Sequence, residues 1–322
     1  MVSVEPMAHA APALPSFYRR PLPAGCVSFS SDEGRAIFRE ALGGGTMESF
    51  FALAEQFHTQ AEPAFCGLAT LVMVLNALAI DPGRAWKGPW RWFSEEQLDC
   101  CRPLEVVARD GITLTQVACL ARCNGANVEM SFAADSTIES FREAIRAAAS
   151  SAGESHVVVA YERKTLGQTG GGHFSPVGGL HPARDLVLLL DVARFKYPPH
   201  WVSVEALFGA MVPIDPATGR SRGFMTVRRG HTVAPVAAFD RDADSAEIER
   251  FLRDLDGTDI LVLAGCLEDG SSAPTHLMEI LRHPEELPAG VRAQVERLHA
   301  QMAELRSPSH ESPAQETAEF PV

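Results

Sequence analysis

From Ser31 to Leu42 a polar cap precedes apolar residues at helical spacing, and the pattern stops at Gly43-Gly44-Gly45. Met47 to Phe57 reads as a second amphipathic helix. A third opens at Cys66, with Leu68, Leu71, Val72, Leu75 and Leu78 on one face, and Asp81-Pro82-Gly83 breaks it. A loop rich in tryptophan follows (Trp86, Trp90, Trp92), and Ser94 caps a predicted helix reaching Cys101. Leu114 to Cys123 is helical and closes at Asn124-Gly125. Ser136 with Glu139 reads as a capping box for a helix running to Ser150.

The texture then changes. Four apolar runs, His156–Tyr161, His173–Leu180, Leu186–Val192 and Gly223–Arg229, are separated by Gly, Pro and Asp turns and predict an antiparallel sheet. The fold class is therefore α+β: a helical first half packed on an antiparallel sheet, with a smaller C-terminal extension. Residues 1–14 read as a flexible leader and 15–229 as the main domain. Residues 230–306 form a variable, mostly helical region, with helices at Ser245–Leu255 and Val291–Leu305 and a strand at Ile260–Ala264. Residues 307–322, rich in Ser, Pro and Glu, read as a disordered tail.

Composition narrows the function classes. At 46% hydrophobic residues the chain can bury a sizeable core. A net charge of −13 argues against nucleic-acid partners, so any field that attracts an anion must come from a few local arginines. The most apolar run, Leu68 to Ile80, is too short to span a bilayer and contains Asn76, so no membrane partner is expected. Seven cysteines make an odd count, and residues 1–17 lack a positively charged n-region. A reducing, cytoplasmic setting is the expectation, although the Ala/Pro-rich leader leaves an organellar address open.

Pro63-Ala64-Phe65-Cys66-Gly67 places a cysteine where a loop turns into a helix. Helix-start N–H groups and the helix dipole favour a thiolate, which is the nucleophilic form. The bland alternative is a small buried residue. Gly170-Gly171-Gly172 lets backbone approach a substrate closely, and His173 follows at a strand start. Asp191 ends an apolar strand across a turn at His181–Asp185, so a hairpin can bring His173 and Asp191 side by side. Such a pair could take a proton from Cys66 and return it to a leaving amine, in the Cys…His…Asp order of papain-like enzymes. The alternatives are a satisfied core histidine and a turn aspartate. Gln60, six residues before Cys66, could complete an oxyanion hole with the Cys66 N–H, or be an ordinary surface glutamine.

Four segments carry a resemblance. Thr59-Gln60-Ala61-Glu62-Pro63-Ala64-Phe65-Cys66-Gly67-Leu68-Ala69-Thr70 resembles the nucleophile motif of phytochelatin synthases. Asp81-Pro82-Gly83-Arg84 through Trp86-Lys87-Gly88-Pro89-Trp90-Arg91-Trp92-Phe93 is similar as well. So are Gly172-His173-Phe174-Ser175-Pro176 and the stretch from Leu190-Asp191-Val192-Ala193-Arg194 to Trp201-Val202. The resemblance runs from about Ser16 to Arg229.

It implies a papain-like fold, a Cys66–His173–Asp191 triad and an oxyanion glutamine at Gln60. The implied reaction joins glutathione units into γ-glutamylcysteine polymers with release of glycine. The implied partners are glutathione, phytochelatin oligomers and heavy-metal ions. No organic cofactor is implied. The activating ion is cadmium or zinc, delivered partly as a glutathione thiolate complex, and a homodimer is the oligomer left open. By resemblance, Arg163, Asp215 and Arg222 hold the γ-glutamyl carboxylate and amine, with Gly172 giving backbone access. Arg194 is assigned to substrate with a surface ion pair as its alternative. Cys100, Cys101, Cys119 and Cys123 match positions used by plant-like members, either for a soft-metal contact or as buried thiols. After residue 230 only Cys266 remains, unlike the cysteine pairs of plant members. Two rivals stay open: a glutathione hydrolase on the same fold, and a thiol protein that only stores metal.

Overall fold

A computed structural model describes residues 19–99, 102–230, 252 and 281–305. Its centre is a seven-stranded, wholly antiparallel sheet in the order β1-β6-β5-β4-β3-β9-β2. The strands are β1 (Cys26–Ser28), β2 (Ala126–Phe132), β3 (Ser155–Glu162), β4 (Gly172–His181), β5 (Leu186–Leu189), β6 (His200–Ser203) and β9 (Gly223–Arg229). A separate hairpin joins β7 (Ile214–Asp215) to β8 (Arg220–Ser221). The α+β class read from the sequence is the observed one.

The apolar runs of β3 and β5 do not alternate with polar residues, because helices cover both faces of the sheet. Val158 and Ala160 of β3 and Leu188 of β5 pack into one core with α3 (Cys66–Ala77) and α5 (Leu114–Cys123). Val157, Val159, Val187 and Leu189 point the other way, into a core with α6 (Ile138–Ser150) and α7 (Val204–Met211). Helix α3 is buried all round from Gly67 to Leu75, which explains its nearly continuous apolar sequence. The first helices, α1 (Asp32–Gly43) and α2 (Glu48–Glu55), fall where the periodicity predicts, and Ser31 caps α1 by accepting the Gly34 N–H.

Several elements differ from the sequence reading. The helix predicted from Ser94 to Cys101 is a single 3₁₀ turn, Glu95–Gln97, and the chain restarts at Pro103 as α4 (Leu104–Asp110). Helix α6 is capped by Thr137 with Ser140, not by Ser136 with Glu139. Here Thr137 is the last extended residue, so its hydroxyl reaches the N–H three residues on. The strands β1, β2 and β6, the β7–β8 hairpin and helix α7 were not predicted. The helix predicted over Val291–Leu305 is observed as α8 (Ala289–Leu305). The leader, the strand at Ile260–Ala264, the tail and, apart from Leu252, the helix at Ser245–Leu255 lie outside the described residues. No described helix is long and apolar enough to cross a membrane.

Candidate active site

Cys66 is the first residue of α3, and its N-cap, Phe65, offers no side-chain bond to the helix start. The thiol instead faces the backbone N–H groups of Phe174 and Gly67. Burial pushes the Cys66 thiol up, while the Phe174 N–H and the Arg163 charge pull it back. Gly67 has to be glycine: a Cβ there would stand 2.4 Å from Ile112 Cγ2 and 3.0 Å from Val117 Cγ2. That close approach of α5 and its preceding loop fixes the start of α3.

The β4–β5 hairpin does what the sequence spacing requires. His173, near the start of β4, places Nε2 2.9 Å from Asp191 Oδ1 just beyond β5. A carboxylate only accepts, so Nε2 carries the hydrogen and Nδ1 keeps its lone pair. Tyr161, directly across in β3, stands edge-on to the imidazole at 5.7 Å. Burial, then the Arg163 charge, pushes His173 down to about 4 against the pull of Asp191. Burial alone would raise the Asp191 carboxyl, but His173 and Arg163 hold it well below the usual carboxylate range. The Ala193 N–H adds a 2.9 Å bond to the same oxygen. Both side chains are almost wholly buried.

Gln60 is also buried, and its N–H bonds the Val192 carbonyl at 3.0 Å, tying the nucleophile loop to the residue after Asp191. Its side-chain Nε2 donates to the carbonyls of Glu62 and Pro63, each at 2.8 Å, while Oε1 has no partner among the described residues. Next to it, the Ala61 N–H is held by both oxygens of the buried Glu95, at 3.2 and 3.0 Å.

Cys66, Gln60, His173, Gly172, Arg163, Asp215 and Arg222 line one cleft of about 560 Å³. Arg222 sends Nη1 to the Pro213 carbonyl at 3.0 Å, and its guanidinium lies over Gly172, where a Cβ would be 3.2 Å from Nε. Gly172 thus makes room for an arginine of the protein itself. Asp215 accepts the Ala217 N–H at 3.1 Å in its own turn.

Two expectations meet a different arrangement. The Arg163 fork, assigned to a substrate carboxylate, is already engaged: Nη2 lies 2.9 and 2.8 Å from the two Asp191 oxygens, and Nη1 donates to Gln168 at 2.6 Å. Arg194 does not line the cleft; its guanidinium stacks 4.7 Å from the centre of the Phe57 ring. Cys119 and Cys123 are buried in the core against α3, and the described residues hold no cluster of three or more metal-ligating side chains. Cys100 and Cys101 lie outside the described residues. The sequence reading passed over Lys196, which lines the cleft inside the segment already quoted, and Arg102 and Arg109 on the α4 side. It also passed over Gln168, which carries no motif.

A cysteine at the start of a buried helix, in one cleft with a histidine that is bonded to an aspartate on an antiparallel sheet, is the architecture of the papain-like class. Comparison with known proteins narrows this. A sequence model described as phytochelatin synthase matches residues 17–224. A glutathione gamma-glutamylcysteinyltransferase 3 of Lotus japonicus is 57% identical over 213 residues, covering 66% of this chain and 44% of that protein. Glutathione gamma-glutamylcysteinyltransferase 1 of Arabidopsis thaliana is 56% identical over 220 residues, covering 68% and 45%. A glutathione gamma-glutamylcysteinyltransferase of Schizosaccharomyces pombe is 47% identical over 216 residues, covering 67% and 52%. The chain spans about half the length of these curated relatives. It belongs to the phytochelatin synthase family.

Proposed function

We propose that residues 15–229 catalyse transfer of the γ-glutamylcysteinyl unit of one glutathione to the amino group of another. The observation that carries this is Cys66 at the head of α3 lining one cleft with His173, which is bonded to the buried Asp191, in a family whose curated relatives bear that transferase name.

Cys66 Sγ attacks the carbonyl carbon of the Cys–Gly bond as His173 Nδ1 takes the thiol proton. His173 returns that proton to the departing amine, so glycine leaves and a thioester remains on Cys66. The amine of a second glutathione then loses a proton to His173 and attacks the thioester. The lengthened peptide leaves, and the proton returns to Cys66. Asp191 holds the imidazole in one tautomer throughout. Gln60 and the Cys66 N–H stabilise the oxyanion. Arg222 and Asp215 take the γ-glutamyl carboxylate and amine, the guanidinium using donors left over from its Pro213 contact. The soft metal enters as part of the substrate, a cadmium or zinc glutathione thiolate. The biological role is metal detoxification in the cytoplasm.

The test incubates the protein with glutathione, with and without cadmium, and separates the thiol products. Oligomers of γ-glutamylcysteine with free glycine are expected, together with a γ-glutamylcysteinyl adduct on Cys66 by mass spectrometry. Cys66→Ser should abolish both. Only γ-glutamylcysteine and glycine would establish the hydrolase instead. Metal binding with no adduct would establish the storage protein. S-methylglutathione, which has no thiol to bind metal, should be polymerised with little added cadmium.

A further inference from the structure

Behind Asp191 the protein buries a line of polar side chains that the chemistry above does not touch. Gln168 and His200 are both almost fully enclosed. Gln168 Oε1 accepts Arg163 Nη1 at 2.6 Å, and Gln168 Nε2 lies 3.0 Å from His200 Nε2. His200 Nδ1 is 2.9 Å from the Pro198 carbonyl.

The polarity of this line follows from its outer end. A carbonyl only accepts, so His200 Nδ1 donates. Burial favours the neutral ring, which leaves Nε2 as an acceptor for the Gln168 amide N–H. The amide oxygen is then turned towards Arg163, whose guanidinium can only donate. Arg163 also lies 5.1 Å from the centre of the Tyr197 ring, and Tyr197 is itself anchored by the Thr169 N–H at 2.8 Å. Gln168 also meets the Cys26 thiol; its contacts with Arg163 and His200 hold one cation against the Asp191 carboxylate.

We propose that Gln168, oriented by His200, is a positioning residue that keeps the Arg163 guanidinium on Asp191 and so sets the charge felt by His173. The inference rests on the acyl-transfer reading of Cys66. The groups that act on His173 from the elements packed around it are Arg163, Asp191 and Lys196, with Tyr161 edge-on across β3. Arg163 and Lys196 disfavour the imidazolium, and Asp191 favours it. Releasing Arg163 removes a positive charge and leaves the carboxylate less neutralised. Both changes raise the His173 pKa.

The experiment is a histidine NMR titration of the full chain carrying Cys66→Ser, with His173 identified by its loss in His173→Gln. In Gln168→Met, which keeps the volume and loses the hydrogen bonds to Arg163, His200 and Cys26, His173 should titrate at least about 1 pH unit higher than in the parent. The Gln168→Met enzyme with Cys66 intact should lose about ten-fold or more in kcat with little change in KM, as a displaced catalytic group does. Its acid limb should move to higher pH. Gln168→Glu keeps an acceptor for Arg163 and should restore most of the turnover. A folded Gln168→Met protein with His173 titrating as in the parent would overturn the proposal. So would a folded Gln168→Glu protein about ten-fold or more slower in kcat than the parent, a comparison that does not need the methionine variant to fold. Because the titration needs no turnover, it separates failure of this inference from failure of the transferase reading, which would show as no adduct on Cys66.

Discussion

Gln60 carries two jobs on one side chain. Its amide nitrogen closes the loop Gln60–Cys66 by donating to Glu62 and Pro63, and the same nitrogen is the candidate oxyanion donor. The two jobs respond differently to removal. Loss of an oxyanion donor slows turnover by roughly 10²–10³ and leaves the thiol as reactive as before. Loss of loop closure displaces the thiol itself. We expect Gln60→Ala to cut kcat on the order of 10²–10³ while alkylation of Cys66 by iodoacetamide proceeds near the parent rate, because Val192 and Glu95 still hold the loop. Alkylation falling in step with kcat would assign Gln60 to loop closure alone. At this scale the sequence was informative where chemistry and motif coincide: Cys66, His173, Asp191 and Gln60 were candidates by position and were assigned by the family resemblance; Cys66, Gln60 and His173 line one cleft, with Asp191 bonded behind His173. It was silent on where each arginine points. Arg163, Arg194 and Arg222 look alike in sequence, yet one grips Asp191, one stacks on Phe57 and one lies over Gly172. Long flexible side chains find their partners only once distant segments meet.

Strand β3 shows the same limit among elements and adds a cost that can be measured. It is paired on both sides and covered on both faces, and it buries His156 with no partner for either ring nitrogen among the described residues. Burial pushes His156 down to about 4, and His173 is also down to about 4. An unfolded histidine titrates near 6.5, so as pH falls below that value the unfolded chain binds protons that the folded chain refuses. Stability is full above about pH 6.5 and declines towards pH 4, by on the order of 2 kcal/mol at pH 5 for each such histidine. We expect His156→Leu to remove one share of that loss: its drop in Tm from pH 7.5 to pH 5 should be clearly smaller than the parent's. Equal drops would mean that His156 is protonated or hydrated in the fold. Helices α1, α2, α3 and α5 were legible because each carries a cap or a breaker beside periodic apolar residues. The strands β1 and β6 and helix α7 were not, being three, four and eight residues long. Their apolar positions make sense only against sheet neighbours far away in sequence.

At the scale of the whole molecule, every candidate site residue precedes Gly230, but the core does not stop there. Leu252, Leu281, Val291, Val295 and Leu298 are buried in the same apolar cluster as α3 and α5, and Arg297 donates to the Leu252 carbonyl at 3.0 Å. Among the described residues no sheet strand follows β9, which ends at Arg229, whose guanidinium bonds the Leu78 carbonyl, and the Gly230 N–H bonds the Gly125 carbonyl at 3.0 Å. A chain cut after Gly230 keeps those bonds and exposes the apolar face that α8 and its neighbours cover. We expect it to form the γ-glutamylcysteinyl adduct on Cys66 and to retain cadmium-dependent turnover. Its stability should fall by about 2 kcal/mol, seen as a Tm lower by roughly 5 °C. Only Cys266 is lost with the removed segment, so bound cadmium per chain should change little. The comparison of Tm, turnover with cadmium and with zinc, and bound metal in the full and shortened chains decides the matter. A folded, monodisperse truncation that forms the adduct but makes no oligomer would place the acceptor pocket partly beyond Gly230. One that forms no adduct would show that the region shapes the Cys66 cleft itself.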